Sequence, residues 1–563
     1  MKDFRNLPQI ISYNAKLYPD NTALGLYGGI SYTYSELNSL KKYIATMLYS
    51  IGIEQNDRVA IYSENNPHWG AAYFGIMTNG CVTVPILPDF QGKEVFTILE
   101  HAEAKVLFIS HKLIAKLKLG VPKGVTHFVL IENLQLLETK NGKIVLPENF
   151  DVNLRKFEIE ETKVKENDNF YKADHEDLCS IIYTSGTTGQ SKGVMLTHKN
   201  ILFDAIQSKT MHRVIPEDVF LSLLPLAHTL ECTVGMVVPL LYGASVCYID
   251  KPPTASFLTP VLQKVRPTTI LTVPLIMEKI YSNKIRPALY KSPLTRALMK
   301  VGPIRRLLSR AAGKKLLAFF GGRLRFFGIG GAQVAADVER FLLDSKFPYA
   351  IGYGLTETSP LLSGFKPSNA VYRSAGKVLE GVEIRIDNPD PVTKEGEIVA
   401  KGDNVMKGYY LDEERTREVF TEDGFFRTGD LAYIDSDGVI FIKGRLKNMI
   451  LGANGENIYP EEIEALLNEK DFVSESLVMQ YKGKLVARVH LNIELIEEKY
   501  QHLKSNAIEF QEEIAKRNEE LLEELKVYVN EHVTKNSRLQ LVLLEAKPFE
   551  KTPTLKIKRY LYS

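Results

Sequence analysis

The chain has 563 residues, of which 45% are hydrophobic and 25% charged, and its 70 Lys and Arg against 68 Asp and Glu leave a formal net charge of +2. This length exceeds one ordinary hydrophobic core and predicts two or more domains. The balanced charge argues against nucleic acid as a partner. The four cysteines form no CxxC pair, so we expect no zinc cluster or disulfide framework.

Neither a signal peptide nor a membrane-spanning segment is expected. The N-terminal stretch 1–6 lacks the apolar core of a signal peptide, and no apolar run reaches the length that crosses a bilayer. We therefore expect a cytoplasmic protein. Whether it also attaches peripherally to the inner face of a membrane is left open.

The first 350 or so residues alternate short apolar runs with amphipathic stretches, as at 59–62, 106–109 and 128–131. This alternation predicts an α/β protein whose large N-terminal domain contains layered, largely parallel sheets. From about residue 381 short β-rich segments lie between Gly, Asp and Asn turns. They predict a small β-barrel-like subdomain over about 365–446.

A smaller unit begins after Gly444-Arg445-Leu446-Lys447, and we predict domains at 1–446 and 447–563, the second α+β and mobile. Its charged segment 493–533 has apolar residues at helical steps, which favours a solvated helix pair over a coiled-coil partner site. The residues that would share one helix face are Leu503, Ala507, Phe510, Ile514, Leu521 and Leu525.

The segment 183–193 is the most informative of the chain. It follows the apolar run 181–183, is rich in Gly, Ser and Thr, and ends in Lys192-Gly193. Glycines let backbone N–H groups approach an anion, hydroxyls add donors, and Lys192 adds positive charge, so the segment suits a polyphosphate. Gly186 and Gly189 are three apart, which excludes the spacing of a P-loop.

Further motifs follow in order. They are 224–228 (LPLAH), 328–332 (GIGGA), 352–358 (GYGLTET), 423–430 (DGFFRTGD), 443–447 (KGRLK), 454–464 (NGENIYPEEIE) and 551–559 (KTPTLKIKR). Together with the phosphate segment, this set resembles the AMP-forming adenylating enzymes, most closely the long-chain fatty acyl-CoA synthetases, from about residue 180 to the C-terminus. Two departures are Ser191 and Leu555, where the family usually has Pro and Gly.

The resemblance implies an ATP site, and the chemistry of the residues agrees. A carboxylate that attacks a phosphate needs cations and oriented donors. Glu357 suits magnesium, to which the family pattern adds the Thr184 hydroxyl; Asp430 suits a ribose diol. The predicted ATP-binding residues are Thr184, Ser185, Gly186, Thr187, Thr188, Gly189, Lys192, Gly331, Ala332, Gly352, Tyr353, Gly354, Thr356, Asp430 and Arg445. Taken singly, each also has a purely structural explanation.

By the same resemblance, Lys556 neutralises the charge that develops during attack, and Lys558 leaves that assignment ambiguous. The predicted catalytic set is Lys556, Thr356, Glu357 and His228. The acyl pocket is predicted at His228, Gly330 and Gly331, with small residues leaving room for a chain. Lys447 is the predicted hinge of a domain swing, and Gly455 is predicted to line a CoA tunnel.

The implied reaction converts a fatty acid, ATP and CoA into acyl-AMP and then a thioester. An acyl-carrier protein as acceptor, or an inactive nucleotide-binding regulator, remain alternatives; retention of Glu357, Asp430, Arg445 and Lys556 argues against the regulator. The basic amphipathic segment 296–325 is either a membrane contact or a solvated helix. The oligomeric state stays open, with a homodimer as one alternative.

Overall fold

The fold is that of a computed structural model describing residues 4–148, 150–151, 153–157, 170, 172–185, 191–451, 457–470, 472–492, 496, 507–551 and 557–562. The strands, in chain order, are β1 (Thr22–Leu26), β2 (Ser31–Thr33), β3 (Arg58–Tyr62), β4 (Val82–Ile86), β5 (Ala104–Ile109), β6 (His127–Leu130), β7 (Gln135–Lys140), β8 (Lys143–Val145), β9 (Leu178–Ser185), β10 (Ser191–Thr197), β11 (Val219–Leu221), β12 (Ser245–Tyr248), β13 (Thr269–Thr272), β14 (Phe326–Ile329), β15 (Tyr349–Gly354), β16 (Leu361–Gly364), β17 (Lys377–Val378), β18 (Glu383–Asp387), β19 (Gly396–Lys401), β20 (Gly408–Tyr409), β21 (Phe426–Ile434), β22 (Ile440–Arg445), β23 (Ile450–Leu451), β24 (Asn457–Ile458), β25 (Val473–Tyr481), β26 (Lys484–Leu491) and β27 (Leu541–Leu544).

The α-helices are α1 (Pro8–Leu17), α2 (Tyr34–Ser50), α3 (Pro67–Thr78), α4 (Gly92–His101), α5 (His111–Ile114), α6 (His198–Gln207), α7 (Val238–Leu241), α8 (Ala255–Val265), α9 (Pro274–Ile280), α10 (Arg286–Leu289), α11 (Pro293–Met299), α12 (Gly302–Phe319), α13 (Ala336–Ser345), α14 (Glu413–Glu418), α15 (Pro460–Asn468) and α16 (Ala507–His532). Two π-helical segments, Leu230–Val237 and Tyr281–Ile285, precede α7 and α10. None of the described helices is both long and apolar enough to cross a bilayer.

Two nine-stranded sheets form the large domain. The first has the order β17-β16-β15-β14-β13-β11-β12-β1-β2, and the second has the order β20-β10-β9-β4-β3-β5-β6-β7-β8. Their central strands pair in parallel and their outer strands antiparallel. The predicted runs 59–62, 106–109 and 128–131 fall on β3, β5 and β6, three parallel neighbours. The prediction of layered α/β sheets is confirmed.

Helix α3 explains how the sheets stack. Every one of its residues is buried, and a helix that is apolar on all sides belongs inside a core. It contacts β1 of the first sheet and β3 and β4 of the second, so it lies between the two sheets. Its first turn is fixed by the Asn66 side chain, which accepts a hydrogen bond from the Trp69 amide at 3.0 Å.

The β-rich region is a four-stranded antiparallel sheet with the order β18-β19-β21-β22. Two short strands inside the predicted range 365–446 pair elsewhere: β17 joins the first large sheet, and β20 pairs with β10 of the second. This second pairing ties the β-rich region to the strand that follows the phosphate segment.

The C-terminal part has a hydrophobic core of its own, built from a three-stranded sheet (β25-β26-β27), α15 and α16. Leu521 and Leu525, predicted to share one helix face, are buried there together with Val529. Leu503 lies outside the described residues. The domain boundary at 446/447 stays a prediction.

Candidate functional site

The described ends of the phosphate segment belong to two paired strands of one β-hairpin. Strands β9 and β10 pair antiparallel, with Thr184 opposite Lys192 and Ser185 opposite Ser191. Opposite residues in such a pair project from the same face of the sheet, so the Thr184 hydroxyl and the Lys192 ammonium face one side. A P-loop would continue into a helix; here strand β10 follows, which agrees with the exclusion of a P-loop. Gly186, Thr187, Thr188 and Gly189 lie outside the described residues.

Tyr409 connects this hairpin to Glu357. Its hydroxyl donates a hydrogen bond to Glu357 Oε1 at 3.0 Å, and the Lys192 ammonium lies 4.6 Å from its ring centroid. Glu357 sits in a 3₁₀ turn, Thr356–Thr358, directly after β15, and its carbonyl accepts from the Met406 amide at 2.8 Å. Burial raises the pKa of Tyr409 and the Glu357 charge raises it further, so the phenol stays a donor.

Asp430 is held between an aromatic hydroxyl and a guanidinium. The Tyr353 hydroxyl donates to Asp430 Oδ2 at 2.8 Å, and Arg445 Nε lies 2.7 Å from Oδ1. The β21–β22 register places Asp430 directly opposite Arg445. The Asp430 side chain is 6% exposed, and the Asp430 amide donates to the Thr428 hydroxyl at 3.1 Å. A carboxylate in this position is the group that suits a ribose diol, because an ionised carboxylate accepts hydrogen bonds from both hydroxyls.

A third cation, Lys447, faces the same cleft. It lies in the 3₁₀ segment Leu446–Asn448 after β22. Burial lowers its pKa, and the neighbouring charges of Arg445 and Lys192 lower it further. Burial also lowers the pKa of Lys192, against the attraction of Glu357. Half-buried cations that repel one another are stabilised when a polyanion enters, so the cleft is prepared for a polyphosphate.

The donor set around Glu357 also fits a magnesium ion. A carboxylate at Glu357 and a hydroxyl at Thr184 are oxygen ligands of the kind that magnesium takes, and two protein ligands leave its other positions to phosphates and water. The charge of Glu357 acts on Lys192, the residue opposite Thr184, which brings both oxygen groups to one end of the hairpin.

A narrow apolar cavity lies between the π-helical segment Leu230–Val237 and strands β11, β13, β14 and β15. It is lined by Ser208, Met211, His212, Phe220, Leu230, Val234, Val238, Thr269, Leu271, Phe326, Gly328, Ile329, Gly330, Gly352 and Leu361. Gly352 lies in β15, and Gly330 directly follows β14. The predicted acyl-pocket residue Gly330 is therefore in the wall, whereas His228 and Gly331 are not among the residues that line it.

His212 is the titratable side chain of this wall, and no motif or spacing in the sequence pointed to it. Its Nε2 lies 2.9 Å from the Thr269 hydroxyl, and its ring stacks on Phe326 at 4.5 Å between centroids. Burial lowers its pKa to about 4. The imidazole is therefore neutral at physiological pH, and the cavity presents no formal charge to an apolar ligand.

Three glycines shape the rim where cavity and cleft meet. A Cβ on Gly330 would lie 3.1 Å from the Leu230 side chain, and one on Gly352 would lie 3.0 Å from Leu361. A Cβ on Gly354 would lie 1.7 Å from the carbonyl oxygen of Pro360. Gly354 therefore admits no side chain unless the backbone moves. Gly331, with φ of 87°, and Ala332 are exposed just beyond β14.

Two predicted residues of the small domain, Gly455 and Lys556, lie outside the described residues and stay predictions. The chain on either side of 552–556 is anchored on the small domain: Lys551 forms an ion pair with Glu475, and Arg559 forms one with Glu464. Lys551 and Ile557 also pair as an isolated antiparallel bridge.

Comparison with known proteins identifies the family of this chain. Residues 11–410 match the model of the AMP-binding enzyme family. The chain belongs to this family. It is 27% identical over 509 residues to the long-chain-fatty-acid–CoA ligase heimdall of Drosophila melanogaster, covering 83% of this chain and 73% of that protein. It is 28% identical over 473 residues to 4-coumarate–CoA ligase 1 of Petroselinum crispum, covering 80% and 77%.

Its fold is shared with ATP-bound MatB from Rhodopseudomonas palustris, with a TM-score of 0.74 and 23% identity over 99% of this chain and 98% of that one. As a member of the AMP-binding enzymes, the chain is an AMP-forming acid–thiol ligase, most like the long-chain fatty acid–CoA ligases. Tyr409 and His212 are the residues of this AMP-binding enzyme's cleft that sequence reasoning missed.

We expect Gly354→Ala to damage the nucleotide site. The added methyl group must displace the Pro360 carbonyl, which moves the turn that carries Thr356 and Glu357, and overpacking of this kind costs about 1–3 kcal/mol. Thermal denaturation should show a lower Tm, and acid-dependent ATP–pyrophosphate exchange should fall. Gly302→Ala is the matched control, because nothing lies within 4 Å of its Cβ. Unchanged exchange in Gly354→Ala would contradict this account of the turn.

Proposed function

We propose that this ligase activates a long-chain fatty acid with ATP and transfers the acyl group to CoA. The apolar cavity carries this proposal. Its lining includes Thr269 and Phe326 at the starts of β13 and β14, Phe220 in the neighbouring β11, and Ile329 and Gly330 at the end of β14. A four-residue strand spans about 13 Å, so this apolar lining runs along the sheet away from the nucleotide cleft, and its shape favours an extended alkyl chain over a polar acid.

In the first step a carboxylate oxygen of the fatty acid attacks the α-phosphorus of ATP. The bond to the β-phosphate oxygen breaks, and acyl-AMP and pyrophosphate result. Thr184 and Lys192 hold the phosphates, Tyr353 lies by the adenine, and Asp430 and Arg445 fix the ribose. A magnesium ion held by Glu357 and Thr184 would offset the repulsion between the two anions.

In the second step the CoA thiol attacks the acyl carbon, the thiol proton is lost, and AMP leaves with the bonding electrons. We assign Lys556 to the first step only and place the hinge at Lys447, so that a swing of the small domain replaces Lys556 with the Gly455 segment. His228 would orient the acyl carboxylate or the arm of CoA.

Two similar proteins support a long-chain fatty acid as the substrate and leave an aromatic acid as one alternative. The heimdall ligase is named for long-chain fatty acids, and the 4-coumarate ligase for an aromatic acid. A flat aromatic acid would fill the entrance of the cavity and leave its inner part empty. A carrier protein as acceptor and an inactive regulator remain the alternatives. Four free thiols agree with a cytoplasmic location, which is part of the proposal.

Pyrophosphate release tests the proposal when measured over saturated fatty acids of increasing length, with 4-coumarate as the competitor. We expect release that depends on a long-chain acid, and thioester formation when CoA is added. Preference for 4-coumarate would contradict the long-chain assignment. Absence of release with every acid would favour the regulator, and transfer only to a carrier protein would replace CoA as acceptor.

Lys556→Ala and Lys558→Ala form the matched pair in the same assay. Loss of an oriented charge at the phosphoryl group costs about 10²–10³ in rate. We expect Lys556→Ala to lose acyl-AMP formation on this scale and to keep thioester formation from supplied acyl-AMP. Lys558→Ala should keep both. If Lys558→Ala lost acyl-AMP formation and Lys556→Ala kept it, Lys558 would be the residue that acts in the first step.

We also propose that α11 and α12 rest on an anionic membrane surface. Between residues 279 and 336 the chain has 13 Lys and Arg and no Asp or Glu. The outward face of α12 carries four exposed cations, Arg306, Arg310, Lys314 and Lys315, around an exposed Leu307. Each cation near an anionic surface contributes about 1 kcal/mol to binding, so four together support reversible attachment.

Flotation with phosphatidylglycerol vesicles, and with phosphatidylcholine vesicles as the neutral comparison, tests this surface. The wild type should float with the anionic vesicles only. The four reversals Arg306→Glu, Arg310→Glu, Lys314→Glu and Lys315→Glu should abolish flotation. Four reversals elsewhere, Lys118→Glu, Lys123→Glu, Lys140→Glu and Lys143→Glu, change the net charge equally and should not. Equal loss of flotation in both variants would show that vesicle binding depends on the net charge of the protein and not on this helix face.

A further inference from the structure

The loop that carries His228 is held by a side chain far away in sequence. Asn65 follows β3 and makes three hydrogen bonds to this loop. Its Nδ2 donates to the Ser222 hydroxyl at 3.0 Å and to the Leu224 carbonyl at 2.7 Å, and its Oδ1 accepts from the Leu226 amide at 2.8 Å. One side-chain amide therefore bonds to the Ser222 side chain and to the backbone of Leu224 and Leu226.

Asn65 is itself fixed in place. The next residue, Asn66, caps helix α3 through the Trp69 amide, and the Asn66 Nδ2 donates to the Ser63 hydroxyl at 3.1 Å and to the Glu64 carbonyl at 2.9 Å. Helix α3 is buried along its whole length. The three hydrogen bonds of Asn65 thus connect the loop to the N-terminus of this fully buried helix.

Glu231 is buried close to the same loop. The residue is 1% exposed, and burial raises the pKa of its carboxyl group to about 8, although the nearby Ser222 hydroxyl and Leu224 amide lower that pKa. Glu231 belongs to the π-helical segment that begins at Leu230, a residue of the cavity wall. A π-helical turn often marks a functional position in a helix.

The loop links these anchors to the acyl site. The His228 amide donates to the Pro225 carbonyl at 2.9 Å, and His228 Nδ1 accepts from the Leu230 amide at 3.3 Å. An imidazole whose Nδ1 accepts a hydrogen bond carries its proton on Nε2 when neutral. Leu230 in turn contacts the position where a Cβ on Gly330 would lie. A shift of the loop would therefore move both His228 and the cavity wall.

We infer that Asn65 is a positioning residue for acyl transfer: its side-chain amide sets the place of the Leu224–Leu230 segment at the entrance of the acyl cavity. This inference rests on the proposed function. Asn65 does not touch the substrates; it acts through the loop. Its removal should therefore change the use of the fatty acid and leave the affinity for ATP as it was.

The test compares Asn65→Ala with Asn79→Ala in steady-state kinetics. Displacement of reacting groups by about 1 Å costs about 10- to 100-fold in rate, and we expect kcat/KM for the fatty acid to fall by that factor in Asn65→Ala while KM for ATP stays unchanged. Asn79→Ala removes a buried amide at the opposite end of α3, where Nδ2 donates to the Ile53 carbonyl at 3.0 Å. It should lower Tm without changing the fatty-acid kinetics.

Asn65→Asp is the second variant if Asn65→Ala does not fold. It keeps the size and the bond from Leu226 but sets a carboxylate against the Leu224 carbonyl, so it should show the same selective loss. Fluorescence of Trp69, the single tryptophan of the chain, reports folding. Equal losses for ATP and fatty acid, or wild-type kinetics in both Asn65 variants, would overturn the inference. Inactivity of the wild type with every fatty acid would instead remove the proposed function.

Discussion

Repulsion between half-buried cations is the constraint on which the nucleotide cleft depends. Lys192, Arg445 and Lys447 come from a hairpin, a strand end and a 3₁₀ segment, and they meet near two carboxylates, Glu357 and Asp430. Burial lowers the pKa of both lysines, so the folded protein bears a cost there that a bound polyanion removes. The same lysines therefore lower the stability of the unliganded protein and favour binding of a polyanion, a combination that is common at functional sites.

The carboxylates have different tasks in this balance. Asp430 is nearly buried and engaged by Tyr353 and Arg445, so its position is fixed before a ligand arrives. Glu357 is tied through Tyr409 to the hairpin, which makes its position depend on the pairing of β20 with β10. The β-rich region therefore contributes to the site through a two-residue strand.

Much of the fold and part of the site were predictable from the sequence. Apolar runs of the right length predicted β3, β5 and β6, and the Gly186–Gly189 spacing excluded a P-loop. Asp430 and Arg445 followed from motifs whose order is specific. Tyr409, His212 and Asn65 could not be found this way, because each contacts a segment far along the chain. A single Tyr or Asn is part of no spacing pattern from which its contact could be predicted. The stacking of the two sheets brings Asn65 to Leu224 and Tyr409 to Glu357.

The most direct measurement is proton uptake on ATP binding at about pH 9, where phosphates of pKa about 6 are already ionised. Calorimetry in buffers of different ionisation enthalpy gives the number of protons bound. Because a polyphosphate favours the charged form of Lys192 and Lys447, their pKa values rise on binding, and the wild type should take up protons. Lys192→Gln and Lys447→Gln should each take up fewer. Binding without uptake, or equal uptake in all three proteins, would contradict the claim that these lysines are held desolvated for the nucleotide.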